Sequence, residues 1–261
     1  MKRRQLLAEA CGTSAGSLLS QLLPTVLLAL IALAGFPIAS ATVVEDLEPY
    51  VTGKAFEPGG STLLYIEEHY KVAESLHKVV YLDPNRELVA EKLIDYSANI
   101  YAPNVQVDDY RAKRATLIEH GAEVCEVSIS DLESNAEKRV FTFQPERHDV
   151  MDAGFDNYVR KHWDQLAQGE TVKFRFMLPL RDSTIGLKLK PRQCEGNTID
   201  TGVSELCFRI SPSNWLVSAL AAPIDLVYER DTQRLLRFIG QGQLPDARGK
   251  SMEVDLRYEY Q

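Results

Sequence analysis

The strongest constraint on this chain is a succession of short apolar runs, each four to nine residues long, rich in Val, Ile, Leu, Tyr and Phe and separated by turn-forming residues. Runs of that length with alternating polarity suit half-buried strands, and their close spacing suits antiparallel pairing through hairpins. They fall at Thr62 to Tyr70, Lys78 to Leu82, Leu88 to Tyr96, Ala122 to Ser130, Arg139 to Gln144, Val172 to Leu178, Thr184 to Lys190, Leu206 to Ile210, Ile224 to Glu229, Leu235 to Ile239 and Glu253 to Tyr260. The predicted fold is mainly β (α+β), a large curved antiparallel sheet or half-barrel of about ten strands. Asp83-Pro84-Asn85 and Asp182-Ser183 supply reversal chemistry between runs. The segments around Val80-Tyr81 and Leu88-Val89, and around Val227-Tyr228 and Leu235-Leu236, share one layout and read as a recurring hairpin type.

One stretch breaks the pattern. From Asp152 to Gln168 the apolar residues Phe155, Val159, Trp163 and Leu166 recur at helical spacing and share a face. Asp152 is placed to cap the first turn and Gly169 to close the last. So apolar a face must pack on the sheet or plug its opening, which makes Phe155 and Trp163 candidates for lining an apolar ligand site.

The N-terminus reads as an address rather than as part of the fold. Lys2, Arg3 and Arg4 precede an uncharged, leucine-rich run from Leu22 to Phe36, followed by Pro37 and Ala39-Ser40-Ala41. This is the layout of an export signal spanning 1–41, with cleavage expected after Ala41. An uncleaved segment anchoring the protein in the inner membrane is the alternative, because no charge occurs between Glu9 and Glu45. The Arg3-Arg4 pair with Gln5, Leu6 and Leu7 resembles a twin-arginine signal. Residues 42–60, with Pro49, Pro58, Gly59 and Gly60, read as a linker or loosely held first strand, leaving 61–261 as a single antiparallel β-rich domain. The expected location is therefore the periplasm.

Removal of Lys2, Arg3, Arg4 and Glu9 with the leader leaves 26 basic against 36 acidic residues, a net charge near -10. That surplus repels phosphate backbones and argues against nucleic acid as a partner. Of the three cysteines beyond the leader, Cys194 and Cys207 flank a loop of twelve residues and are the pair most readily closed in an oxidising compartment. Cys125 alternates with Val127 and Ile129 and reads as an inert core thiol.

Chemical motifs are sparse. Asp200-Thr201-Gly202, continued by Val203 and Ser204, resembles the active-site triplet of the aspartic proteases, and Phe238-Ile239-Gly240 resembles the step that supports its loop. That resemblance implies an envelope hydrolase with Asp200 as its carboxylate, working as a homodimer so that two acids share a proton. Against it, Cys194 to Thr198 form no apolar strand ahead of the triplet. Ser75-Leu76-His77-Lys78 has serine-lysine spacing without companion motifs, and Gly240-Gln241-Gly242 lacks the third glycine of a nucleotide loop. Neither Glu67-Glu68-His69 nor Glu146-Arg147-His148-Asp149 has a spacing that brings two ligands to one ion, so neither metal nor cofactor is expected.

The most interpretable surface is the hairpin from Val172 to Lys190. Val172, Phe174, Phe176 and Leu178 face one way, Lys173 and Arg175 the other, and Ile185, Leu187 and Leu189 alternate in the same fashion with Lys188 and Lys190. Pairing these strands makes a strip of four cations, Lys173, Arg175, Lys188 and Lys190, suited to an anionic partner such as a lipid headgroup or lipopolysaccharide. The leading expectation is an exported, non-catalytic periplasmic protein that binds an apolar or anionic envelope ligand, a lipid or another envelope protein. It looks like the half-barrel carriers that move acyl chains or lipoproteins across the periplasm. An outer-membrane β-barrel is an alternative beside the aspartic-type hydrolase, since Met252, Val254, Leu256, Tyr258 and Tyr260 alternate as in the terminal strand of that class, although the chain ends in Gln261.

Overall fold

The computed structural model describes residues 47–261 apart from 122–123, 135–138, 145, 147–148, 179–182, 195–203, 215–221 and 247–248. All of these belong to the compact unit Ser40–Gln261. The segment 1–41 read as an export signal, Asp200, His148 and Asp182 lie outside the described residues.

Fourteen strands form one antiparallel sheet. They are β1 (Val51–Phe56), β2 (Leu63–Lys71), β3 (Leu76–Leu82), β4 (Leu88–Asp95), β5 (Asn104–Asp109), β6 (Arg114–His120), β7 (Cys125–Asp131) and β8 (Arg139–Phe143), then β9 (Val172–Leu178), β10 (Ser183–Arg192), β11 (Glu205–Pro212), β12 (Ile224–Glu229), β13 (Leu235–Pro245) and β14 (Ser251–Tyr260). The spatial order is β8-β7-β6-β5-β4-β3-β2-β1-β14-β13-β12-β11-β10-β9. Two meanders therefore meet at the middle, where β1 pairs with β14 along Val51↔Tyr260 to Phe56↔Asp255. The one long crossover runs from β8 at one edge to β9 at the other.

The number of strands exceeds the expected ten or so because three of them carry weak apolar alternation. In β1, within the segment read as a linker or loose first strand, only Val51 and Ala55 are apolar and inward, with Gly53 between them. A Cβ at Gly53 would lie 2.9 Å from the Tyr258 ring, so a residue that weakens a strand is the one this close approach needs. In β5 (NVQVDD) and β6 (RATLIEH) the inward face is itself partly polar, with Asp109 and Thr116 buried.

The crossover carries two short helices rather than one, α1 (Gly154–Lys161) and α2 (Trp163–Ala167), separated at His162 (φ -102°, ψ 18°). Asp152 does not cap α1. The N-cap is Ala153, without a side-chain bond, while Asp152 adopts a left-handed conformation (φ 48°) and its carboxylate pairs with Lys92. Gly169 does close the crossover helices in the left-handed region (φ 90°), its N–H donating to the Leu166 carbonyl at 3.0 Å. Gly154 sits so close to β5's approach loop that a Cβ there would lie 2.0 Å from the Tyr101 carbonyl oxygen, which also accepts the Met151 N–H at 2.9 Å.

Two apolar clusters fill the concave side. One runs across β1 to β7 through Ala55, Tyr65, Val79, Tyr81, Val105 and Val127, and it includes Met177 of β9. Residues from opposite ends of the strand order thus share a core, the consequence of a sheet curled about its inner face. The second cluster packs Val159, Trp163 and Leu166 of the crossover onto Leu189, Phe208 and Tyr228. The free edge of β9 is partly covered by Val150, which bridges Phe176 in parallel, with Val150 N–H donating to the Arg175 carbonyl and Met177 N–H to the Val150 carbonyl.

Candidate functional site

The cationic strip forms as the alternation requires. Ser183↔Leu178 to Leu189↔Val172 sets β9 against β10 so that Lys188 stands directly opposite Lys173, and Lys190 stands opposite Arg209 of β11. These residues lie on the face away from the crossover helices, because their neighbours Val172, Phe174 and Leu189 are buried on the other. The strip is not uniform. Arg175 is drawn to Glu146 and to Asp149, whose carboxylate is 3.0 Å from Arg175 Nε. Lys173, Lys188 and Lys190 have no ion pair among the described residues, and Lys173 and Lys190 are exposed.

The rest of this outer face behaves differently. Asp225 is held by Arg209 through two bonds of 2.7 Å and by Arg192 at 2.8 Å. Burial alone would raise the Asp225 carboxyl, but the bonds from Arg209 and Arg192 bring it below its ordinary value. Asp255, 1% exposed, accepts Arg237 at 2.6 and 2.7 Å and Arg257 at 2.7 Å, and it is lowered in the same way, the guanidinium bonds outweighing desolvation. Lys54 with Glu259, Lys78 with Glu91 and Arg86 with Glu68 complete the pattern. Outward cations are thus matched to acids across most of the sheet, and the β9/β10 lysines are the exception.

Phe155 and Trp163 are brought onto the inner face. Trp163 is 7% exposed, edge-on to Phe208 and Tyr228 with ring centroids 5.8 and 5.7 Å away. Phe155 is half-buried against Phe174 at 5.6 Å. Both rings are engaged with the core. A pocket of about 230 Å³ lies elsewhere, at the β13–β14 hairpin beside Ala112, Arg114, Gln241, Gly242 and Ser251.

Sequence reasoning missed a chain of aromatic rings on the inner side of β1 to β4 and β14. Tyr96, His77, Tyr50, His69 and Tyr258 follow one another with centroids 5.1, 5.9, 6.3 and 5.9 Å apart, each pair edge-to-face. Buried Glu67 anchors one end, accepting from Tyr258 Oη at 3.3 Å and facing His69 Nε2 at 3.1 Å. Burial, then the charges of Lys71 and His69, lower the affinity of His77 for a proton. The signal for this chain was present as period-two spacing of His69 with Glu67 and of Tyr258 with Tyr260, but only the register joins the strands.

A second buried polar group secures the crossover. Lys92, 3% exposed, pairs with Asp152 and donates to Gln243 Oε1 at 2.7 Å, which also accepts from Tyr81 Oη at 3.1 Å. Nearby on α1, Asp156 accepts from Tyr228 Oη at 3.0 Å and from Arg160, yet burial dominates and raises its carboxyl.

Cys194 and Cys207 are joined in a disulfide across the β10–β11 hairpin. Cys125 is fully buried, and burial pushes its thiol up to about 12, which suppresses the reactive thiolate. Among the described residues no helix is long and apolar enough to cross a membrane. No family model matches this chain, and neither a curated protein nor a solved structure is significantly similar to it.

Proposed function

We propose that this is an exported, non-catalytic protein of the periplasm that uses the β9/β10 lysines to hold an anionic envelope component, a lipid headgroup or lipopolysaccharide phosphate. The observation that carries the reading is the contrast on the outer face. Lys173 and Lys188 stand opposite each other with no acid matched to either among the described residues, whereas Arg209, Arg192, Arg237 and Arg257 converge on carboxylates. Like charges directly across a strand pair destabilise it, and an external anion relieves that repulsion. The anionic arm is preferred to an apolar cargo because Trp163, Phe208 and Tyr228 fill the space beneath the crossover. A lipid-embedded barrel is disfavoured by the ion-paired outer face, since lipid contact needs an apolar band there. The aspartic-type hydrolase stands only on the sequence around Asp200.

The test is co-sedimentation of the mature protein with phosphatidylcholine vesicles containing or lacking phosphatidylglycerol. Binding is expected only to the anionic vesicles and is expected to weaken as salt rises. At about 1 kcal/mol per lysine near an anionic surface, K173Q/K188Q/K190Q should weaken it roughly a hundredfold. Equal binding by the triple variant would remove the reading.

A further inference from the structure

The β10–β11 hairpin brings together three side chains that suit a metal. Cys194 follows β10, while Glu205 and Cys207 are two residues apart on β11 and so share its outer face. A carboxylate oxygen of Glu205 and both sulfurs lie within 4.8 Å of one another. Both Glu205 oxygens are shut away from solvent, and neither accepts a hydrogen bond among the described residues. Desolvation raises this carboxyl, partly offset by the charge of Arg237. A buried acceptor without a donor is costly, and what this one faces is a pair of sulfurs that carry no proton while joined.

We propose that Cys194, Cys207 and Glu205 form a redox-gated cation site, closed as the disulfide and, once reduced, able to hold a divalent ion of borderline softness such as Zn²⁺. Two thiolates and one carboxylate match the ligand preferences of that ion, and three protein ligands leave a fourth position for water. Opening the site requires a two-electron reductant whose electrons enter the Cys194–Cys207 bond, either a dithiol that itself becomes a disulfide or a phosphine that takes up oxygen from water to become the phosphine oxide. The two sulfurs take up two protons, and metal binding releases them again as both thiolates form. The cation also supplies the partner that Glu205 lacks in the oxidised state. This site is on a different hairpin face from the aromatic chain and does not depend on the lysine strip.

The experiment uses the mature protein reduced with a phosphine, freed of reductant under nitrogen and titrated with Co²⁺ alone. One Co²⁺ per chain is expected, with a thiolate-to-cobalt charge-transfer band that Zn²⁺ abolishes, and the oxidised protein should show no such band. E205Q, which keeps the side-chain shape, should weaken Co²⁺ binding about tenfold or more. C194S and C207S, which leave Glu205 intact, should each lose the stoichiometric band. The proposal is overturned if the reduced protein gives no band, if the oxidised protein binds equally, or if E205Q titrates like the parent. Vesicle binding unchanged in E205Q separates failure here from failure of the lysine reading.

Discussion

The Cys194–Cys207 cross-link offers a prediction whose size follows from chain length. The two residues are 13 apart, so the bond closes a loop of about 14 residues. In the chain-entropy account, closing such a loop in the unfolded ensemble stabilises the native state by about 3 kcal/mol at 25 °C. For a domain of this size each kcal/mol moves the melting temperature by roughly 2–4 °C, so losing the bond should lower it by about 6–12 °C. The native strands need the bond little, because Arg192↔Cys207 already lies in the β10–β11 register. The loss should therefore leave the far-ultraviolet circular dichroism of the folded protein unchanged. Melting curves of the oxidised protein, of the same protein with a thiol reductant and of C194A/C207A would be compared. Cys207 is only 6% exposed, so the alanine variant also loses packing, and the reduced parent isolates the cross-link. Superimposable melts for oxidised and reduced protein would refute the entropy argument, as would a reductant effect that persists in C194A/C207A.

Gly154→Ala should cost about 1–3 kcal/mol in urea unfolding, because its Cβ would meet the Tyr101 carbonyl at 2.0 Å and neither backbone can yield cheaply; an unchanged midpoint would mean that the crossover does not sit as described. Trp163→Ala should cost about 3–5 kcal/mol by the same measurement, since it empties the space between Phe208 and Tyr228. Asp255 and Asp225 have lowered native pKa values, so their stabilisation is present above the unfolded carboxyl value of about 3.9 and disappears as pH falls through the native one. Asp156 has the opposite sign: its raised value favours the protonated native state, so its contribution is present at low pH and is lost as pH rises through that value. D255N should therefore flatten the fall in stability below the unfolded carboxyl value of about 3.9 and D156N the fall that sets in above it, and curves parallel to the parent's would contradict both assignments.

Sheet class was legible because it rests on local alternation. Val172–Leu178 and Ile224–Glu229 coincide with their expected bounds, and the Asp83 turn forms through its carboxylate, which accepts the amides of Asn85 and Glu87 at 2.8 Å. The recurring hairpin type also has a physical basis. Five residues after Tyr81 and after Tyr228 come Arg86 and Gln233, non-glycine residues in the left-handed region (φ 68° and 56°), and both hairpins shift register beside the tyrosine. What was not legible depended on long-range contact. β1 looks too weak to be a strand until Gly53 is seen to admit the ring of Tyr258, and the single helix divides at His162, beside Trp163, whose ring packs on Phe208 of β11 and Tyr228 of β12. Likewise the lysine strip was readable from one hairpin, whereas the ring chain from Tyr96 to Tyr258 needs β1 paired to both β2 and β14.

That pairing explains why two polar systems coexist on one sheet without competing. Because β1, the first strand, pairs with β14, the last, the inner face at the centre of the sheet gathers residues from both ends of the strand sequence, and Glu67, His69 and Tyr258 satisfy one another there. A polar group buried on a curled inner face has no recourse to water, so it must find its partner within the fold. The outer face has no such obligation, and charges there can remain unmatched at little cost if solvent or an anion meets them. Lys173, Lys188 and Lys190 are tolerated on that face for this reason. Two groups depart from that rule, the Tyr65 hydroxyl on the inner face and the carboxylate of Glu205, whose oxygens lie on the outer face but without access to water. What sets Glu205 apart from Tyr65 is its company, since a carboxylate oxygen lies within 4.8 Å of both the Cys194 and Cys207 sulfurs, and that is the ground on which we propose a cation as its partner after reduction.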